Sequence, residues 1–249
     1  MTISSSPINL RILKGLQLLL LLLLTDSVNA QVLISDFKPF KYQLEETYSP
    51  VTAIELEQEV AKVIEAQKGL SKEDIRTINY WNASYPSYRW HQIMMEVSRA
   101  KKGHKNGGRV VILHLSIYDA LAEVWKHKKQ HQVKAPYQQN SKVQKLSRER
   151  AYSTFVCEWS AAAGAAREVI GYYFPDRKPY LDSLIAQFKE TRLITGLQLP
   201  SDIEKGMAIG KQIAAKYIEY AKTDRTDRMW EGQVLERVHD KLPEWSYRS

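Results

Sequence analysis

The chain has 249 residues, 44% of them hydrophobic and 26% charged, a composition typical of a globular protein rather than a disordered one. Its formal net charge of +8 favours anionic surfaces, polyanions or phosphorylated substrates, but no nucleic-acid-binding motif accompanies the charge, so nucleic acid is not an expected partner. A single cysteine, Cys157, excludes an intramolecular disulfide. We expect Cys157 to be a small buried hydrophobe.

The first thirty residues have the features of a secretory signal peptide. Arg11 and Lys14 precede an apolar block over residues 16–24, and the stretch ends in the small residue Ala30. This block is roughly half as long as the 20 apolar residues that a membrane-spanning helix needs. We therefore expect cleavage after Ala30 and export to the periplasm or the extracellular space. The alternative is an uncleaved anchor.

The rest of the chain predicts an all-α protein, a helical bundle of about six helices. An extended arm over residues 31–48 leads into a helical domain over residues 49–222, and residues 223–249 form a charged linker and tail. Ser49 before Pro50 predicts the start of the first helix. Ser71 followed by Asp74 predicts the start of a short second helix.

Two later helices are expected to be central. The helix predicted from Arg109 to about Lys126 is apolar on two sides, which is typical of a buried helix. The next long helix, predicted over residues 147–173, contains an alanine strip at residues 161–166 that lets a neighbouring helix approach closely. Gly206 and Gly210 have small-residue spacing on the last helix, which is predicted to begin at a capping box of Ser201 and Glu204.

His127 and His131 are spaced to share one helix face, but the pattern does not favour a metal site. A zinc protease helix needs a glutamate directly after the first histidine, and this chain has Lys128 there. Only two protein ligands are present where zinc needs three or four, and the neighbouring lysines oppose a dication. We interpret the pair as part of a solvated basic helix end, which the helix dipole favours.

Other polar residues have structural interpretations. Residues 103–108 are glycine-rich and flanked by lysines and arginine, so they could hold an anion at a helix start, although a plain turn is favoured. His114 is expected to be a core histidine. Asp119, an acid deep in a buried helix, needs a partner, and Arg89 or Arg109 is expected to supply it. Asn82 begins a glycosylation acceptor pattern with Ser84.

Two segments resemble a known family. Residues 80–90 read Tyr-Trp-Asn-Ala-Ser-Tyr-Pro-Ser-Tyr-Arg-Trp, and residues 110–120 read Val-Val-Ile-Leu-His-Leu-Ser-Ile-Tyr-Asp-Ala. With the alanine-rich helix that ends in Phe174-Pro175-Asp176, they resemble the front of the vanadium-dependent haloperoxidases. That family shares its helical fold with the type 2 phosphatidic acid phosphatases. The resemblance covers roughly residues 80–227, and the Trp-Asn and His-x-x-x-Tyr-Asp-Ala pieces carry most of its weight.

The resemblance implies an oxyanion site whose residues this sequence lacks. In the family, a lysine followed by Arg-Pro, then Pro-Ser-Gly-His, then Ser-Arg and a histidine six residues later hold vanadate or a phosphoryl group, because fixed donors must meet its charge. Neither Arg-Pro nor Ser-Gly-His occurs here, and Ser98-Arg99 is followed by His104 one residue too early. No catalytic, cofactor-binding or metal-binding residue is therefore assigned.

Two functional hypotheses follow. The first is an exported amino-terminal half of a haloperoxidase-like or acid phosphatase-like protein, inactive alone, since the chain ends where a family member would continue. Its expected partner is a carboxy-terminal half or a second copy, and vanadate or phosphate would bind only once that half is supplied. The alternative is a self-contained binding or scaffold module whose basic run, Lys126 to Lys134, docks on an anionic surface in a salt-sensitive way.

Overall fold

The computed structural model describes residues 38–99, 107–149 and 153–224. The expected signal peptide and most of the expected tail lie outside these ranges. Every regular element within them is helical, which confirms the all-α prediction. In chain order the elements are α1 Ala53–Ala66, α2 Lys72–Trp81, α3 Tyr88–Arg99, α4 Gly107–Gln130, α5 Pro136–Gln139, α6 Glu158–Tyr173, a 3₁₀ turn Pro175–Arg177, α7 Lys178–Ile194 and α8 Pro200–Asp224.

Helices α4, α6 and α8 pack against one another and form the centre of the bundle. All alanines of the strip at residues 161–166 are fully buried. A Cβ atom added at Gly164 would overlap the carbonyl oxygen of Met207, and one added at Gly206 would overlap that of Cys157. The backbones of α6 and α8 therefore touch, as the small-residue spacing predicts.

The two apolar sides of α4 have different surroundings. Leu113 and Ile117 lie in the main core, as expected for a central helix. On the other side, Val111 is 54% exposed and Tyr118 is 39% exposed. Only one of the two sides is thus deeply covered by the part of the chain that the structure describes.

The first helix begins three residues later than predicted. Pro50 and Val51 stay outside the helix, and Thr52 is the N-cap. The Thr52 side chain accepts a hydrogen bond from the Glu55 amide, while the Glu55 carboxylate accepts one from the Thr52 amide at 2.8 Å. This reciprocal capping box satisfies two helix-end donors, whereas Ser49 has Thr52 rather than a Glu or Gln three residues later. The predicted start of α2 at Ser71 and Asp74 is confirmed by the same pairing.

The predicted start of α6 at residue 147 is wrong. The helix begins at Glu158, and Cys157 is its N-cap. Residues 153–157 are instead non-helical and buried, with a bend at Phe155 and Val156, and the Thr154 amide donates to the Val133 carbonyl at 2.9 Å. Tertiary hydrogen bonds thus replace the helical ones that the apolar pattern suggested.

The capping box predicted at Ser201 and Glu204 is also wrong. Helix α8 already begins at Pro200. The Ser201 amide and hydroxyl both donate to the Glu59 carboxylate on α1, at 3.1 and 2.6 Å. Glu204 pairs with Lys189 on α7 instead. These side chains join α8 to two other helices rather than capping it.

Asp119 anchors the extended arm to the centre of the bundle. Its carboxylate accepts the backbone amides of Phe40, Lys41 and Tyr42 at 2.5, 3.0 and 2.7 Å, and the hydroxyl of Tyr217 at 2.7 Å. The expectation that an arginine pairs with this buried acid is therefore wrong. Four neutral donors meet the charge, which is the other way to satisfy a buried carboxylate.

Candidate functional site

A buried polar cluster surrounds Arg192, a fully buried side chain of α7. Its Nη1 donates to Glu149 Oε1 at 2.6 Å and to Asn82 Oδ1 at 3.0 Å, and its Nη2 donates to Glu149 Oε2 at 3.1 Å and to Gln198. The guanidinium also lies 5.1 Å from the ring centroid of Trp159. Burial disfavours the charge, but the carboxylate of Glu149 outweighs it and raises the pKa of Arg192.

Ser147 links Asn82 to Glu149 and so completes a ring of hydrogen bonds that includes Arg192. The Asn82 side-chain amide donates to Ser147 Oγ at 3.1 Å, and that hydroxyl donates to Glu149 at 3.0 Å. The sequence pattern marks Asn82 as a glycosylation acceptor, but its side-chain nitrogen is already engaged in a half-buried network. The structure therefore favours a structural role for Asn82 over glycan attachment.

A second buried ion pair lies at the amino terminus of α6. Lys128 on α4 contacts the carboxylate of Glu158 at 3.0 Å and donates to the backbone carbonyl of Ser153. Next to it, the Thr154 hydroxyl donates to the Asp202 carboxylate at 2.6 Å. The two pairs join α4, the non-helical segment over residues 153–157 and α8.

Cys157, the N-cap of α6, is fully buried. Its thiol accepts a weak hydrogen bond from the Ser160 amide at 3.4 Å. Burial raises the pKa of the Cys157 thiol, so little thiolate forms near neutral pH and the group is a poor nucleophile. The prediction of a small buried hydrophobe is confirmed.

The titration of Asp202 gives a testable dependence of stability on pH. Burial raises the pKa of this carboxyl from 3.8 to about 6, and the Thr154 hydrogen bond offsets only part of the effect. The folded protein thus keeps a proton that the unfolded chain releases between about pH 4 and 6. The stability linked to that proton is fully present below about pH 4 and is lost as the pH rises through about 6.

We expect Asp202→Asn to be more stable than the wild type at pH 7, by up to roughly 3 kcal/mol. The two proteins should be equally stable near pH 4, because the wild-type carboxyl is protonated there in the folded state. Urea unfolding between pH 4 and 8 measures the difference. The variant Glu57→Gln, at an exposed position, is the control and should show no such trend. A constant difference across the range would contradict the prediction.

The basic run from Lys126 to Lys134 is only partly the solvated helix end that the sequence suggests, because Lys129 and Lys134 are exposed whereas two other members are buried. His127 is 0% exposed and Lys128 is 4% exposed. Lys126 donates to Glu123 at 3.0 Å and to the Leu44 carbonyl at 3.3 Å. The reason is that α4 continues to Gln130 and that the arm and residues 153–155 pack over its end.

Aromatic rings contact both His127 and His131. The ring of His127 packs edge-on against Tyr48 and Phe155, and its Nε2 lies 3.4 Å from Glu123 Oε1. His131 also contacts Phe155, at a ring separation of 5.3 Å. Within the described residues, no group of three histidine, cysteine, aspartate or glutamate side chains is arranged to hold a metal ion.

A different pair of histidines does meet. His91 on α3 and His114 on α4 face each other with 2.9 Å between Nδ1 and Nε2. Both rings are half-buried. The sequence predicts a core histidine at position 114, and nothing in the sequence links it to His91, because their contact depends on how α3 packs against α4.

The glycine-rich loop considered as an anion site lies mostly outside the described residues. Its neighbour Arg109 is buried, with its guanidinium carbon 5.2 Å from the ring centroid of Tyr173 and 5.5 Å from that of Phe174. The arginine therefore lies at the carboxyl end of α6, where a cation is favourable. This contact was not predicted, since it joins residues more than sixty positions apart.

Two open grooves lie on the surface of the described residues. One, of about 500 Å³, lies between the end of α1, α2 and α7, with Asp74, Gln187 and Glu190 in its wall. The other, of about 380 Å³, lies between the arm and α4 and includes Lys38 and Lys126. Of residues 38–99, 107–149 and 153–224, no helix is both long and apolar enough to cross a membrane.

No protein-family profile matches this chain, and no curated protein matches its sequence. Its fold does match solved structures. The crystal structure of a bacterial vanadium-dependent iodoperoxidase superposes with a TM-score of 0.57 at 16% sequence identity, over 73% of this chain and 52% of that one. The chain therefore has the helical fold seen in a vanadium haloperoxidase, and it spans about half the length of the structure that it matches.

Proposed function

We propose that this chain supplies the amino-terminal helical half of an exported haloperoxidase-like or acid phosphatase-like protein and that it has no turnover by itself. The fold match to the iodoperoxidase, over 52% of that chain, is the observation that carries the proposal. The missing residues support it further. The sequence has no Arg-Pro and no Ser-Gly-His segment, and these segments supply the donors that an oxyanion needs.

The buried polar clusters are consistent with a structural role inside the helical bundle. The Arg192 guanidinium is already engaged by Glu149, Asn82 and Gln198, and the Lys128 ammonium by Glu158. Cations that neutralise a substrate must offer donors that remain available to it. The terminal nitrogens of Arg192 and the ammonium of Lys128 donate to groups of the protein itself. These two cations therefore stabilise the bundle rather than bind an oxyanion.

The expected result of an activity assay is background turnover. The purified chain, with its helical content verified by circular dichroism, is incubated with vanadate, iodide or bromide and hydrogen peroxide, and separately with a phosphate ester. A heat-inactivated sample gives the background. Halide oxidation or ester hydrolysis clearly above it would contradict the proposal. A downstream reading frame that encodes Pro-Ser-Gly-His would support it, and adding that second polypeptide should restore turnover.

The alternative function, a module that docks through its basic run on an anionic surface, keeps only part of its motivating feature. Lys126 and Lys128 are held by Glu123 and Glu158, and His127 is buried. Lys129 and Lys134 remain exposed. Because surface attraction depends on several cations acting together, we do not propose this function.

A further inference from the structure

Large apolar side chains are exposed on one side of the bundle, around the point where α4 meets α8. Asp119 of α4 fixes this point, because its carboxylate accepts both the Phe40 amide and the Tyr217 hydroxyl. A group of exposed apolar side chains on a globular protein marks a surface that another segment or molecule covers. We call this group the α4 apolar surface, and its members are Phe40 of the arm, Val111 and Tyr118 of α4, and Tyr220 of α8.

The directions of the central helices place the end of α8 at this surface. The close contacts of α8, first to Cys157 and then to Ala161, show that it runs parallel to α6. Helix α4 runs the opposite way, since Arg109 near its start contacts the end of α6, and Lys128 near its end contacts Glu158 at the start of α6. The carboxyl end of α8 therefore lies beside the amino-terminal part of α4.

The chain leaves α8 close to the exposed part of α4. From the hydrogen bond between Tyr217 and Asp119, α8 continues by about 10 Å to its end at Asp224. In the same direction, Val111 lies about 12 Å from Asp119 along α4. Residues 225–249 follow α8 in the chain and lie outside the described residues. Even coiled as a helix they span about 35 Å, which is enough to cross the α4 apolar surface.

The sequence of this tail, residues 225–249, suits such a surface. Apolar residues follow one another at steps of four, namely Trp230, Val234, Val238 and Leu242. This spacing gives a helix one apolar face. Glu236 and Asp240 fall on the opposite face, where charged side chains would meet water.

We propose that the tail docks on the α4 apolar surface of its own chain as an amphipathic helix, with its apolar face toward Val111 and Tyr118. The tether favours this occupant over a second copy. A linked segment acts at an effective concentration on the order of millimolar, well above a free chain at micromolar concentration. The inference does not rest on the proposed function, and its test measures no turnover.

Disulfide cross-linking in the full chain tests the proposal. Val111→Cys is combined with a cysteine at one tail position at a time, and each variant is oxidised mildly. A disulfide forms only when the two Cα atoms come within about 7 Å. We therefore expect an intramolecular cross-link, identified by mass spectrometry and non-reducing electrophoresis, from at least one of Val234→Cys, Val238→Cys and Leu242→Cys. The buried Cys157 does not compete for the new thiols.

Polar tail positions and a distant helix supply the controls. Glu236→Cys and Asp240→Cys, paired with Val111→Cys, should give roughly one tenth of the yield or less, because their side chains face away. Glu57→Cys replaces Val111→Cys as the second control. It is exposed on α1, which contacts the opposite end of α8 through Glu59, and should cross-link with no tail position.

The pattern of products decides between the possible occupants. Cross-linking that favours the apolar positions and stays within one chain would support docking of the tail. Equal yields from apolar and polar positions, or no cross-link from any of them, would overturn the proposal. A disulfide-linked dimer in place of the intramolecular product would assign the surface to a second copy and would overturn it as well.

Discussion

Replacing Gly210 by alanine is expected to cost about 3 kcal/mol or more of the free energy of unfolding, at or above the upper end for an overpacked core position. A Cβ at this position would overlap the carbonyl oxygen of Ala161 and lie 2.6 Å from the Ala165 amide nitrogen. Both atoms belong to the backbone of α6 and cannot turn aside as a side chain would. Helices α6 and α8 must therefore separate, which uncovers the alanines packed between them.

Gly171→Ala is the matched control on α6. Its added Cβ would lie 3.4 Å from Lys178 Cγ, an ordinary contact with a flexible side chain. Because alanine favours a helix interior over glycine by up to about 1 kcal/mol, this variant should be as stable as the wild type or slightly more so. Urea denaturation followed by circular dichroism compares the two. Equal stability of Gly210→Ala and Gly171→Ala would contradict the close packing of α6 on α8.

The close approach of these helices was predictable because its signal is local. Alanines at consecutive positions and glycines spaced four apart define a smooth surface on each helix without reference to the rest of the chain. The same holds for the start of α2, where Ser71 and Asp74 lie within one turn. Periodicity and capping patterns are short-range features, so the helical class and most helix positions follow from them.

Features that depend on long-range contacts were not predictable. The start of α6 was placed too early, because residues 153–157 form a non-helical segment that is fixed by backbone hydrogen bonds to Val133 and Asp202. The burial of His127 depends on the arm, which lies some eighty residues away in sequence. Periodicity identifies a helix face that can be buried, but it does not identify what covers that face.

The Arg192 cluster is the clearest case of this limit. Its members come from the end of α2, the loop after α5, α7 and the loop before α8, and no spacing in the sequence relates them. In sequence, Arg192 looks like a basic residue near a helix carboxyl terminus, where the usual interpretation is a solvated charge complementing the dipole. Only the tertiary fold shows that it is fully buried and bound at both terminal nitrogens.

Arg192→Met is expected to destabilise the protein by about 3–5 kcal/mol, the usual cost of removing one partner from a buried ion pair. Methionine fills much of the space, so the loss arises mainly from Glu149, Asn82 and Gln198, which would be left without their donor. Arg76→Met on α2 is the control: its pair with Glu73 is 76% and 71% exposed, and such surface pairs contribute about 0–1 kcal/mol.

The double variant Arg192→Met, Glu149→Leu tests whether the unpaired Glu149 carboxylate causes the loss of stability in Arg192→Met. Once the carboxylate is also replaced by an apolar group, no buried charge remains unpaired, and buried ion pairs replaced in this way are often neutral in stability. Urea unfolding should therefore show the double variant to be more stable than Arg192→Met alone. If instead it loses as much as the single variants added together, Glu149 is not the partner whose isolation costs the energy, and the contact with Trp159 and the shape of the arginine would account for the stability.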